Sequence, residues 1–140
     1  MTGEMSVDRI RAAVAEVAGE LPGVAAVYLY GSRVHGSTLP LSDIDLAVLL
    51  VDGEGQRDPL FAESFAARVS VALRSSVEND AHLVSQLPLP VLGRVVTDGY
   101  LIYESDASRR VEFETSTRRL YFDFLPFLER DAREGLTSRG

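Results

Sequence analysis

Apolar positions recur at three- and four-residue steps from the start of the chain. Val7, Ile10, Val14, Val17 and Leu21 form one stripe, which predicts a helix from about Val7 to Glu20 with Ser6 as its N-cap. Leu21-Pro22-Gly23 stops it. The period then shortens. Val24 to Tyr30 is β-rich and reads as a strand, and Gly31-Ser32 turns it. Arg33 to Gly36 reads as a helical turn, and Pro40-Leu41 leads into a second strand from Asp43 to Val51. Leu46 to Val51 is apolar on both faces, as expected of a central strand covered on both sides.

Polar, Gly-containing residues from Asp52 to Pro59 predict a loop. Leu60, Phe61, Phe65, Val69 and Leu73 align on a helix from Leu60 to about Arg74. Val77 to Val84 is a weaker strand, and Leu87-Pro88-Leu89-Pro90 a rigid connector. Val91 to Thr97 predicts a short helix ended by Asp98-Gly99, and Tyr100 to Glu104 a strand. A last helix runs from about Ala107 to Arg133, with Pro126 expected to bend or interrupt it. Val111, Glu114, Arg118, Tyr121 and Leu125 lie on one side of it; Phe113, Thr117, Leu120, Phe124 and Leu128 lie on the other. Residues 134–140 read as a frayed tail. This order gives an α/β (α+β) fold, a small mixed sheet flanked by helices in one domain spanning 1–140.

Composition narrows the chemistry. With 140 residues and 46% hydrophobic content the chain can bury a real core. Its net charge of -7 disfavours a nucleic-acid partner, and the positive side chains are all arginine. There is no cysteine, which excludes disulfides and thiolate metal sites, and two histidines are too few for a His-built centre. No signal peptide and no apolar run of membrane-spanning length is apparent, so a cytoplasmic protein is expected.

The segment Tyr30-Gly31-Ser32-Arg33-Val34-His35-Gly36-Ser37, then Ser42-Asp43-Ile44-Asp45-Leu46-Ala47-Val48, carries the clearest chemical signal. Gly31 lets backbone approach a phosphate closely, and Ser32 with the N–H groups after it can form an anion nest. Arg33 is placed to reach a β- or γ-phosphate. In an extended chain Asp43 and Asp45 point the same way while Ile44 points inward. Two carboxylates on one face invite a hard divalent cation such as Mg2+, and two ions sharing ligands need a third acid. Glu78 and Asp80 share a face of the Val77–Val84 strand, so alternation does not choose between them. Asp80 is shorter and nearer the apolar Ala81-His82-Leu83-Val84 run, and is favoured. His82 reads as a core histidine on the face of Asp80. Tyr28, Tyr100, Tyr103 and Tyr121 read as packing residues, and Arg109-Arg110 and Arg118-Arg119 as a solvated face pairing with Glu112, Glu114 and Asp123.

Gly31-Ser32, ten intervening residues and Asp43-Ile44-Asp45-Leu46 resemble the signature of the DNA polymerase β-like nucleotidyltransferase superfamily. More narrowly, the chain resembles minimal nucleotidyltransferases of the MntA type, antitoxin partners of HEPN-domain toxins. The similar features include Gly93-Arg94-Val95 after the Pro-rich connector, Asp98-Gly99 before Leu101-Ile102-Tyr103, and Tyr121-x-Asp123 with Pro126. The resemblance implies Asp43, Asp45 and Asp80 as catalytic metal ligands for Mg2+, and Gly31, Ser32, Arg33 and Ser42 as the nucleotide-binding set. It implies ATP as donor and a tyrosine of a HEPN ribonuclease toxin as acceptor. Two other functions compete: AMP transfer to a small molecule such as an aminoglycoside, and neutralisation of a toxin by contact alone.

Overall fold

The computed structural model describes residues 4–30, 38–40, 44–51, 58–74 and 79–138. Helix α1 (Val7–Gly19) starts at Ser6, whose Oγ accepts the Asp8 N–H at 3.2 Å. It buries Ile10, Ala13, Val14, Val17 and Ala18, the stripe expected from its spacing. Strand β2 (Val24–Tyr30) has the bounds its composition suggested and is buried up to Tyr30. Strand β4 (Asp45–Leu50) is buried beyond Asp45. Helix α2 (Phe61–Leu73) ends on Arg74, which takes the left-handed conformation (φ 53°) that closes a helix. Strands β5 (Asp80–Leu83) and β6 (Tyr100–Glu104) flank helix α3 (Leu89–Asp98), and helix α4 (Ala107–Ser138) closes the fold.

The main sheet has the order β5-β4-β2-β6. β2 runs antiparallel to both β4 and β6, and β4 runs parallel to β5. This is the small mixed sheet the sequence implied. Its central strands β2 and β4 are covered on both faces. On one side α1 and α2 pack Ile10, Val14, Phe65 and Val69 against Val27, Leu29, Leu46 and Val48. On the other, α3 and α4 pack Val95, Val96 and Phe113 against Ala26, Tyr28, Ala47 and Leu49.

Four expectations are corrected. A second, two-stranded sheet pairs β1 (Glu4–Ser6) with β3 (Thr38–Pro40); three residues carry too little alternation to be read as strands. Pro90 belongs to α3 rather than to a connector, because the first turn of a helix has no use for its N–H. Pro126 does not interrupt α4, which continues to Ser138. Finally, α4 packs through the seam between the two expected stripes. Phe113 and Thr117 are buried, Glu114 and Tyr121 half-buried, while Val111, Leu120, Phe122, Phe124 and Phe127 are exposed. Polar Glu114 is tolerated there because the buried Tyr28 hydroxyl donates to it at 2.7 Å and Arg110 pairs with it at 3.0 Å.

α3 and α4 meet at a glycine. A Cβ on Gly93 would come within 2.1 Å of the Tyr121 ring, so the helices approach this closely because none is there. The Arg118 guanidinium locks the same junction by donating to the Val96 carbonyl at 3.1 Å.

Candidate active site

Sheet register assembles the candidate site. Tyr30 at the end of β2 is the register partner of Asp45 at the start of β4, and Asp45 is the register partner of Asp80 at the start of β5. Register partners point to the same face. Three strands therefore place a hydroxyl and two carboxylates in one row across one end of the sheet. Neighbouring strands lie about 4.8 Å apart. At that spacing two carboxylates repel by on the order of 1–3 kcal/mol, depending on how much water screens them. Asp80 is exposed and Asp45 half-buried, so a ligand can reach both.

The row sits on the face covered by α3 and α4, with Tyr30 packed against that cluster and Asp80 exposed. Ala47 and Leu49 share the face with Asp45, while Leu46 and Val48 enter the aliphatic core. The Tyr30 hydroxyl reports the local field. Its pKa is pushed up to about 12, first by burial and then by the charges of Asp45 and Asp80. The Tyr28 hydroxyl, one step deeper on the same face, is held above the ordinary tyrosine value by burial and by Glu114. Both tyrosines stay protonated at neutral pH.

Of the residues expected in the site, Asp45 and Asp80 are brought together. Gly31, Ser32, Arg33, Ser42 and Asp43 lie outside the described residues, as do Glu78 and the turn expected at Arg33 to Gly36. Among the described residues no group of three His, Asp or Glu side chains surrounds a single point. The two that meet supply hard oxygen donors in a negative field, which suits Mg2+.

His82 shares the face of Asp80 as expected, but it is exposed rather than a core histidine, because β5 is an edge strand and α3 and α4 do not extend over it. Tyr100 is exposed too, on the opposite edge strand. The arginines of α4 do pair with Glu112 and Glu114, and Glu112, Arg118, Arg119 and Asp123 are exposed as expected; Arg110 and Glu114 are half-buried, and Arg110 binds both Glu104 and Glu114. Tyr30 and Asn79 escaped the sequence reading. The alignment of Tyr30 with Asp45 needs the strand register, and nothing in the local pattern sets Asn79 apart. Asn79 is in fact buried, its Nδ2 donating to the Ala66 carbonyl at 2.9 Å and to Ser70 Oγ at 3.0 Å.

A groove of about 470 Å³ opens beside the row, lined by Ala62, Glu63 and Ala66 of α2 with Asp80 and His82 of β5 among others. A second cleft of about 430 Å³ between α1 and α2 shares no residue with it and lies away from the acids.

The geometry can be set against known proteins. Residues 13–108 match the family model described as polymerase beta, nucleotidyltransferase. No curated protein matches the chain. Several solved structures share its fold. A toxin–antitoxin MntA–HpeT structure with two Asp-to-Glu substitutions aligns with TM-score 0.71 at 20% identity, covering 90% of this chain and 98% of that one. A tri-AMPylated Shewanella oneidensis HEPN toxin in complex with MNT antitoxin gives TM-score 0.68 at 20% identity, covering 92% and 98%. A toxin–antitoxin structure with AMP-PNP gives TM-score 0.68 at 21% identity, covering 90% and 98%.

Proposed function

Because the chain belongs to the polymerase β-type nucleotidyltransferase family, we propose that it transfers AMP from ATP to a tyrosine of a HEPN-domain toxin and thereby acts as an antitoxin. The observation that carries this reading is the row Tyr30–Asp45–Asp80, formed at the open end of a nucleotidyltransferase-type sheet. The similar folds that contain an AMPylated toxin and AMP-PNP support the choice of acceptor and donor. The whole chain, 1–140, acts as one minimal catalytic domain in this reading.

Asp43, Asp45 and Asp80 would hold Mg2+, which neutralises charge on the phosphoryl oxygens and makes a hydroxyl easier to deprotonate. The rest falls to the chain. Gly31 and Ser32 hold the phosphates through backbone N–H groups and a hydroxyl, Ser42 supports them, and Arg33 neutralises the β- and γ-phosphates. The acceptor oxygen attacks the α-phosphorus, the bond to the β-phosphate oxygen breaks, pyrophosphate leaves, and the hydroxyl proton passes to Asp80. Burial keeps the Tyr30 hydroxyl protonated beside the acids, so it can donate a hydrogen bond but not compete as an anion.

A protein partner also suits the surface. Phe122, Phe124 and Phe127 are exposed on the second half of α4, apolar area of the kind that a partner covers. No described helix is long and apolar enough to cross a membrane, and an ATP-using antitoxin belongs in the cytoplasm. The test is to incubate the chain with Mg2+ and ATP labelled in its α-phosphate, alone, with a HEPN toxin and with aminoglycosides. Label on a toxin tyrosine is expected. Label on an aminoglycoside alone would move the assignment to small-molecule transfer, and toxin neutralised without any label would make contact sufficient.

A further inference from the structure

The outer edge of β5 borders the candidate site and, among the described residues, has no neighbouring strand. The Asp80 N–H turns inward, to the Ile44 carbonyl at 3.0 Å. Alternation therefore turns the N–H and C=O groups of Ala81 and Leu83 outward. The Leu83 N–H is taken by the Gln86 side chain at 2.9 Å, which closes that end of the edge. The stretch at Ala81 is left facing the groove. Both faces of β5 contribute to the lining, Ala81 from one and Asp80 and His82 from the other, so the groove wraps the strand edge.

Three properties of this groove point to one occupant. Its far wall is small, with Ala62 and Ala66 of α2 leaving a gap of about 470 Å³. It carries Glu63 and Asp80 and no arginine among the described lining residues, so it repels a triphosphate and attracts a neutral or basic group. It is anchored, since Asn79 ties the start of β5 to α2 through the Ala66 carbonyl, yet the buried Asn79 Oδ1 meets no donor among the described residues.

We infer that this groove seats an extended polypeptide segment with neutral or basic flanks, laid along the edge of β5 so that its hydroxyl meets Asp80. Backbone groups at Ala81 supply the strand-like contact and Glu63 reads the charge of the flanks. The nucleotide then occupies the other side of Asp80, toward Asp45. The inference rests on the AMP-transfer reading and adds where, and in what conformation, the acceptor lies.

Short peptides with a central tyrosine and flanks of arginine, glycine or glutamate test it, with Mg2+ and α-labelled ATP and a HEPN toxin as control. Arginine-flanked peptides are expected to be labelled about tenfold faster than glutamate-flanked ones, a preference worth about 1.4 kcal/mol. Glu63→Arg, an exposed change, should abolish or invert that preference through KM for the peptide, with KM for ATP unmoved. Ala66→Phe, which fills the groove, should slow every peptide while circular dichroism shows an intact fold. Labelling indifferent to the flanks and to Glu63→Arg overturns the inference. So does a labelled toxin with no labelled peptide, because the acceptor is then not an extended segment. If neither toxin nor peptide is labelled, the AMP-transfer reading itself falls.

Discussion

The two faces of the sheet are built from the same strands to different ends. Toward α1 and α2, β2, β4 and β5 present Val27, Leu29, Leu46, Val48, Ala81 and Leu83, an aliphatic surface. Toward α3 and α4 the alternate positions present Tyr28, Tyr30, Asp45, Ala47, Asp80 and His82. The first face stabilises by burial, at about 25 cal/mol per Å² of apolar area removed from water. The second gives up some of that stabilisation to hold like charges together. Adjacent residues of one strand thus divide between the core and the candidate site.

Asp45 and Leu46 test that division most directly. Asp45→Asn is expected to slow AMP transfer by about 100-fold or more, the scale of losing one charged group that clamps a reacting phosphate. Its melting temperature should hold, because Asn keeps the size and polarity of the side chain. Leu46→Ala should behave in the opposite way and lower stability by about 2–5 kcal/mol in urea titrations. A destabilised Asp45→Asn would show that the carboxylate serves the fold, and the contrast between the faces would fail.

Gly93→Val comes next. Forcing side-chain atoms into the Tyr121 ring should cost about 1–3 kcal/mol. Gly93→Val with Tyr121→Ala should recover part of that loss in a double-mutant cycle, because the clash is then relieved. The Tyr28 hydroxyl contributes less. Tyr28→Phe should cost about 1 kcal/mol, since Glu114 keeps Arg110 and Arg118 as partners. Glu114→Ala should cost more than Tyr28→Phe, because it strands a buried hydroxyl.

The smallest effect concerns pH. Tyr30 keeps its proton to about pH 12 in the folded state but loses it near pH 10 when unfolded. Above pH 10 the folded state therefore binds more protons, and stability falls with rising pH until the folded hydroxyl also ionises. Ultraviolet difference absorbance of the wild type against Tyr30→Phe, followed from about pH 9 to about pH 12, reads this shift. A folded-state titration at the ordinary tyrosine value would remove the pH effect.

Much of the architecture was legible because its elements are long and periodic. The stripe of α1 and the apolar runs of β2 and β6 carry their own bounds. The parity of Asp80 and His82 followed from alternation alone. Exposure did not, because whether a strand face is covered depends on the helices above it: His82 stands at an edge those helices do not reach. The row itself was half legible. Asp45 announces itself in an Asp-x-Asp pair, and Asp80 was one of two acids with equal parity. What joins them is strand register, a long-range property that no local spacing encodes. On α4 the periodicity offered two stripes, and the actual seam was chosen by partners far away in sequence, Tyr28 and Gly93.

The little sheet of β1 and β3 gives the site an anchor at a distance. β3 divides the connection between β2 and β4 into spans 31–37 and 41–43, and these hold every expected phosphate contact. Met5, buried in the core and paired with Leu39, holds that midpoint in place. Halving a loop saves about 0.6 kcal/mol of closure entropy, so the direct energetic effect is small. The larger consequence is one of heredity. On the proposed reading, a substitution at Met5, chemically silent and far from the acids in sequence, weakens the pairing that holds β3 between the two spans of expected phosphate contacts.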